Sequence, residues 1–389
     1  MIHEHISLYI VLALIAAKLV EVPFRKVGLS PIPGYVIVGL ILGSSLLGII
    51  KYPEYLSSIA YLSLVLLMLY TGLTTEFRDV MDFFKEVVLI GFMGVFATFV
   101  IVYVALRLLG FSLLISIFVA TALSNTATEA VAGVLARTRD SRFKSIIIGA
   151  SFFDDILAVY LITLLTSLSI GEYSLTGIVV FTLKALAFIV VVFYISNLLA
   201  RKYTRFYEYV SRDYFWFSSL TIVIAFALAF VARIVGLSEL LGAYLAGILI
   251  SRGREYHDPM LRTRVVLTNF TSAFIVFLDV IFLPLFFVYV GLSYTIVTID
   301  ITLYAILLLL ALLGKFIGVY PYAIKVFGDK TKAIRAGLIM GARGSLDIAL
   351  IRIGLDTGVI DTALYSTVLS VALTTAILVP IIYAKAYKI

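Results

Sequence analysis

The residues best placed to do chemistry are two adjacent carboxylates, Asp154 and Asp155, in the run Ser151-Phe152-Phe153-Asp154-Asp155-Ile156. Neighbours on a helix point about 100° apart, so the two acids should meet different partners, while Ser151 shares a face with Asp155 at i, i+4. Lys315 offers a cation in an apolar setting, Leu313-Gly314-Lys315-Phe316-Ile317-Gly318. Low dielectric favours the neutral form of either group unless an opposite charge is near, so an Asp154–Lys315 pair can pass a proton with modest bias. Asp155 beside that pair could hold a proton or a cation, but not both. Two polar runs interrupt apolar stretches elsewhere, Ala122-Leu123-Ser124-Asn125-Thr126-Ala127-Thr128-Glu129 and Met340-Gly341-Ala342-Arg343-Gly344-Ser345. Arg343 stays charged, so if buried it needs a carboxylate or several carbonyls around it.

These groups must be carried by elements of unusual composition. Of 389 residues, 62% are apolar and 14% charged, whereas soluble domains are about half apolar and a quarter charged. The chain is therefore expected to be an all-α integral membrane protein. The absence of cysteine excludes a disulfide scaffold, a zinc-thiolate site and a cysteine nucleophile. His3, His5 and His257 fall in terminal or loop segments, so no histidine is placed for metal ligation or proton relay, and no cofactor is implied. The first apolar run lacks a basic leader, so no cleavable signal is expected.

A membrane-crossing helix takes roughly 20 apolar residues. The sequence divides into thirteen such runs, at 6–22, 34–50, 56–73, 86–109, 111–136, 143–170, 174–200, 214–235, 238–251, 266–293, 300–325, 333–354 and 360–386. Charge tests the count. Of the 30 basic residues, 22 fall in the odd-numbered turns, while the even side holds Lys51, Arg107, Arg233 and, at a helix end, Arg352. Basic residues gather in cytoplasmic loops, so the expectation is thirteen helices in the cell membrane, N-terminus outside and C-terminus cytoplasmic. The net charge of +7 then reports topology rather than nucleic-acid binding. On this count Asp154 lies about eleven residues, or roughly 17 Å, from its basic loop, near mid-bilayer. Lys315 lies at similar depth. Asp279, Asp347, Lys18, Glu21 and Lys184 also lie within or near spans, where structural roles are expected.

An inverted repeat is visible. Leu69-Tyr70-Thr71-Gly72-Leu73-Thr74 matches Val288-Tyr289-Val290-Gly291-Leu292-Ser293 at an offset of 219. Gly34 with Val38-Gly39-Leu40-Ile41-Leu42 likewise matches Gly242 with Ala246-Gly247-Ile248-Leu249-Ile250 at an offset of 208. Both pairs are seven spans apart, an odd number, so each pair runs in opposite directions through the bilayer, as in many secondary transporters. The 219 offset sets Ser124 to Thr126 opposite Arg343 to Ser345. Polar residues in mid-span are costly in lipid unless the backbone unwinds around a site, so two crossed discontinuous helices are expected. Glu129 then becomes the nearest carboxylate to Arg343.

In this order and spacing the motifs resemble those of the monovalent cation:proton antiporter superfamily, most nearly its two-aspartate branch, which includes the NapA-type and KefC-type proteins. The motifs are Asp154-Asp155, Ser124-Asn125-Thr126-Ala127, Pro284-Leu285-Phe286-Phe287 leading to Val290-Gly291-Leu292, Lys315, and Arg343-Gly344. The resemblance covers essentially the whole chain. It implies the antiporter fold and a homodimer. The implied domains are a dimerisation or anchor domain (1–80 and 204–296), a core transport domain (81–172 and 297–389) and a linker helix (173–203).

The resemblance also implies roles. Asp155 would bind Na+ and carry the proton, with Asp154 beside it and Lys315 as salt-bridge partner. Thr126 would match the crossover ligand, supported by Asn125. Ser151 would match a side-chain ligand of the related electroneutral branch, which has Asn-Asp where this chain has Asp-Asp. That branch also has a Glu where this chain has Ala150, which leaves Arg343 without its usual partner and makes Glu129 the expected replacement. The expected activity is exchange of Na+ or Li+ for H+ by alternating access, electrogenic and serving pH homeostasis. The alternatives are a K+/H+ antiporter or an ion-coupled solute symporter on the same fold. An intramembrane aspartyl protease needs its acids on facing helices, commonly with Gly-x-Gly-Asp, a motif this sequence lacks.

Overall fold

The computed structural model describes residues 2–26, 30–50, 54–74, 83–135, 138, 140–168, 209–235, 237, 239–251 and 262–387, with a few positions between 180 and 195. Every regular element among them is a helix. In order they are α1 (Ile2–Lys26), α2 (Ile32–Leu42), α3 (Glu54–Thr74), α4 (Phe84–Leu108), α5 (Leu113–Ala122), α6 (Thr128–Leu135), α7 (Ser141–Leu168), α8 (Tyr214–Val235), α9 (Glu239–Ser251), α10 (Arg262–Phe277), α11 (Leu283–Leu292), α12 (Ile301–Phe327), α13 (Lys330–Ile339), α14 (Ser345–Asp356) and α15 (Thr362–Tyr387). Polar residues set several ends. Ser112, Asp300 and Asp329 accept backbone N–H groups at the starts of α5, α12 and α13, and Gly328 closes α12 at φ +65°. A π turn over Leu278–Phe282 holds Asp279 and precedes Pro284, whose ring and missing N–H a regular helix accommodates poorly.

Seven helices among the described residues are long and apolar enough to cross a membrane, and α2, α5 and α9 are shorter apolar helices. The runs expected at 111–136 and 333–354 are each split into two short helices. The expected span 34–50 is helical only to Leu42, where Gly43 turns extended. A turn through Gly48 at φ +61° follows, and Ser45 donates to Tyr294 O. The run 174–200 lies almost wholly outside the described residues.

By contacts the chain forms two compact units, residues 1–58 with 79–162 and 284–389, and residues 59–78 with 163–283. In the first, α2 crosses α11 glycine against glycine. A Cβ on Gly39 would lie 2.0 Å from Val288 O, and one on Gly291 would lie 2.1 Å from Val36 O. In the second, α3 crosses α9 in the same manner, with 2.1 Å from Gly72 to Tyr244 O and 2.4 Å from Gly247 to Leu69 O. The sequence offsets map Gly39 onto Gly247 and Gly72 onto Gly291, so each unit contains the same close crossing. Small residues permit it, since helices in lipid associate by close van der Waals packing.

The first unit also holds an apolar cluster drawn from α4, α6, α7, α12, α13 and α15, including Ile90, Val131, Ile147, Val319 and Ile339. At its basic end Arg335 lies 5.1–5.6 Å from the rings of Phe143, Tyr383 and Tyr387. Lys332 pairs with Asp140 at 2.6 Å. That contact, with the Phe143 N–H, holds the Asp140 carboxyl below its usual range.

Candidate functional site

The two interrupted helices meet within the first unit. α5 ends at Ala122 and α6 begins at Thr128; α13 ends at Ile339 and α14 begins at Ser345. The segments between them are hydrogen-bonded to each other, with Ala127 N donating to Ala342 O at 2.9 Å and Thr126 Oγ1 to Met340 O at 2.9 Å. The α14 end is closed by Asp347, which accepts from Gly344 N at 2.7 Å.

A helix C-terminus leaves carbonyls without intrahelical partners and carries partial negative charge. Arg343 answers both at the end of α5. Its guanidinium is 1% exposed and donates to Leu123 O and Asn125 O, with Ala311 O at 3.5 Å. Carbonyl oxygens thus surround this buried charge. The side chain of Glu129 lies outside the described residues.

The two acids of α7 face different partners. Asp154 Oδ2 receives Lys315 Nζ at 2.6 Å and Thr126 Oγ1 at 2.7 Å. Lys315 Nζ also donates to Ser124 O at 2.6 Å, and both charged side chains are fully buried. Asp155 Oδ2 receives Thr128 Oγ1 at 2.8 Å, and Asp155 Oδ1 receives Asn125 Nδ2 at 3.1 Å. Ser151 is buried, and its hydroxyl donates to Ile148 O of its own helix at 2.8 Å. The site therefore joins Asp154, Lys315 and Thr126 in one group, and Asp155, Asn125 and Thr128 in another.

Three contributors were not singled out by sequence reasoning. Thr128 is one. Gly91 and Gly94 of α4 are the others: a Cβ on Gly91 would lie 3.1 Å from Asp154 Oδ1, and one on Gly94 would lie 3.4 Å from Lys315 Cε. Their Gly-x-x-Gly spacing puts both on one face of α4, which is the signal that could have found them. Other charged residues at depth have local partners among the described residues. Glu21 meets Lys18 and Arg25 at 2.5 Å each and the Tyr35 hydroxyl at 2.8 Å. Arg352 reaches Tyr289 and Asp356 at 2.6 Å each.

The chain is 26% identical to the "Na(+)/H(+)-K(+) antiporter GerN" of Bacillus cereus, covering 95% of this chain and 93% of that protein. It is 25% identical to the "Na(+)/H(+) antiporter" of Enterococcus hirae, with 92% of each covered. Its fold matches the solved sodium proton antiporter MjNhaP1 of Methanocaldococcus jannaschii with a TM-score of 0.77 at 18% identity, over 100% of this chain and 98% of that one. Residues 10–385 match the family described as "Sodium/hydrogen exchanger, transmembrane". The chain belongs to the sodium/hydrogen exchanger family and is a multi-pass membrane transporter with the antiporter fold.

Proposed function

We propose that this monovalent cation/proton antiporter exchanges Na+ or Li+ for H+ by alternating access, with cation and proton competing for Asp155. The observation that carries this reading is the division of labour between the adjacent acids. Asp154 is matched by the charge of Lys315 at 2.6 Å, while Asp155 accepts from the neutral donors Asn125 and Thr128 among the described residues. A carboxylate bound by neutral groups can trade them for a cation or a proton. Asp154 supports a second proton step. The Thr126 hydroxyl has one proton but two acceptors in reach, Asp154 Oδ2 and Met340 O. Once protonated, the Asp154 carboxyl can donate a hydrogen bond to Thr126 Oγ1, whose own proton then goes to Met340 O, while Lys315 keeps Ser124 O. This supports an electrogenic cycle and placement in the two-aspartate branch.

The reading includes thirteen spans with the N-terminus outside, movement of a core (81–172 and 297–389) against an anchor (1–80 and 204–296) through the linker 173–203, and a homodimer. K+ in place of Na+ is the second reading, supported by the name of the Bacillus cereus relative. Proton flux in proteoliposomes, driven by Na+, Li+ and K+ in turn, tests the whole. We expect cation-driven proton movement that depends on membrane potential and disappears in Asp155→Asn. No cation-driven movement in the unaltered protein would defeat the proposal.

A further inference from the structure

With Asp155 as the exchange carboxylate of the proposed function, its immediate neighbours decide which groups can share the cation. The resemblance pointed to Thr126 and Ser151. Their hydroxyls face elsewhere: Thr126 lies against Asp154 Oδ2 and Met340 O, and Ser151 donates to Ile148 O. The side chains that reach Asp155 include Thr128, with Oγ1 2.8 Å from Oδ2, and Asn125, with Nδ2 3.1 Å from Oδ1.

Asn125 adds a second observation. It is fully buried, and its Oδ1 has no hydrogen-bond partner among the described residues. A buried amide oxygen left without a partner is costly, so such an atom calls for a ligand. Hard cations are bound by carboxylate, amide and hydroxyl oxygens, and oxygens sharing one ion lie about 3 Å apart. The separation between Thr128 Oγ1 and Asp155 Oδ2 already has that value. Turning the Thr128 proton aside exposes a lone pair, and rotating the Asn125 amide by half a turn sets Oδ1 where Nδ2 stands. We propose that Asn125 Oδ1 and Thr128 Oγ1 join Asp155 as side-chain ligands of the transported cation, with Thr126 and Ser151 outside its shell. The same groups then serve Asp155 in both occupancies: as hydrogen-bond donors without the cation, and as oxygen ligands beside it.

The test uses the full-length protein in proteoliposomes and in detergent, with Na+ as the probe. Thr128→Val and Asn125→Leu remove the oxygens at nearly constant shape. Each is expected to raise the Na+ KM about tenfold or more, the loss in kcat/KM falling mainly on KM. Each should also move the Na+-induced rise in melting temperature to about tenfold higher Na+, and Thr128→Ser should retain both properties. Should Thr128→Val fail to fold, Thr128→Ala against Thr128→Ser gives the same contrast. Unchanged KM and unchanged melting shift in Thr128→Val and Asn125→Leu, with Asp155→Asn inactive, would overturn the ligand assignment and leave the exchange reading standing. So would a rise in KM with Ser151→Ala but none with Thr128→Val. Full exchange in Asp155→Asn would instead overturn the exchange reading itself.

Discussion

The two breaks, at 123–127 and 340–344, occupy equivalent places in the repeat yet carry opposite chemistry. The first supplies neutral side chains to the acids, Thr126 to Asp154 and Asn125 to Asp155, with Thr128 just beyond it. The second supplies a fixed cation, Arg343, together with the Met340 and Ala342 carbonyls. The two breaks thus share a backbone crossing, and their side chains differentiate them. One half faces the exchangeable charge. The other neutralises the helix end that the first half leaves open.

Breaking that contrast should cost most at Arg343. Arg343→Ala leaves the Leu123 and Asn125 carbonyls buried without a donor, and a loss on the order of 3–5 kcal/mol is expected, read as a fall in Tm in detergent. Arg343→Lys should recover only part, because an ammonium cannot reproduce the planar fork on two carbonyls. Lys315→Met comes next. Removing one partner of a buried pair is costly, but Asp154 can take a proton in response, as the carbonyls stranded by Arg343→Ala cannot, so a loss of about 2–4 kcal/mol is expected. The double variant Lys315→Met with Asp154→Asn should recover most of that stability, and additive losses would contradict the pairing.

Smaller effects sharpen the comparison. Gly91→Ala would set a Cβ 2.9 Å from Ala150 O and 3.1 Å from Asp154 Oδ1, which predicts a loss of about 1–3 kcal/mol in the melt and slower exchange. Glu129→Gln should change stability by less than about 0.5 kcal/mol if the carbonyl shell suffices for Arg343. A larger loss would make Glu129 its second partner. Asp140→Asn removes a half-exposed pair with Lys332, worth about 0–1 kcal/mol. The Asp140 carboxyl sits below its ordinary value of 3.8, so its contribution is present above that value and is lost as pH falls through the folded pKa. Melts of the two proteins should therefore converge in acid.

Much of this was legible in the sequence, for a reason lipid imposes. Polar residues amid apolar runs cannot remain in a regular lipid-facing helix, so the runs around Asn125 and Arg343 announced breaks, and the depth of Asp154, Asp155 and Lys315 announced a site. Thr128 was not legible, because the direction of one hydroxyl depends on where α6 takes its first turn. The partners of Arg343 were not legible either. Every residue has a carbonyl, and only the crossing decides which carbonyls are left open.

The sequence by itself determined the membrane class, the repeat and the positions of the breaks, since hydropathy, charge placement and glycine motifs are properties of the string. The tertiary structure decided that α2 crosses α11 and α3 crosses α9, that Lys315 takes Asp154, and that Asn125 and Thr128 take Asp155. The side-chain choices rest on contacts of about 3 Å between groups 27 to 161 residues apart. Periodicity places a side chain on a face of its helix, but only packing of the faces together selects which oxygen it meets.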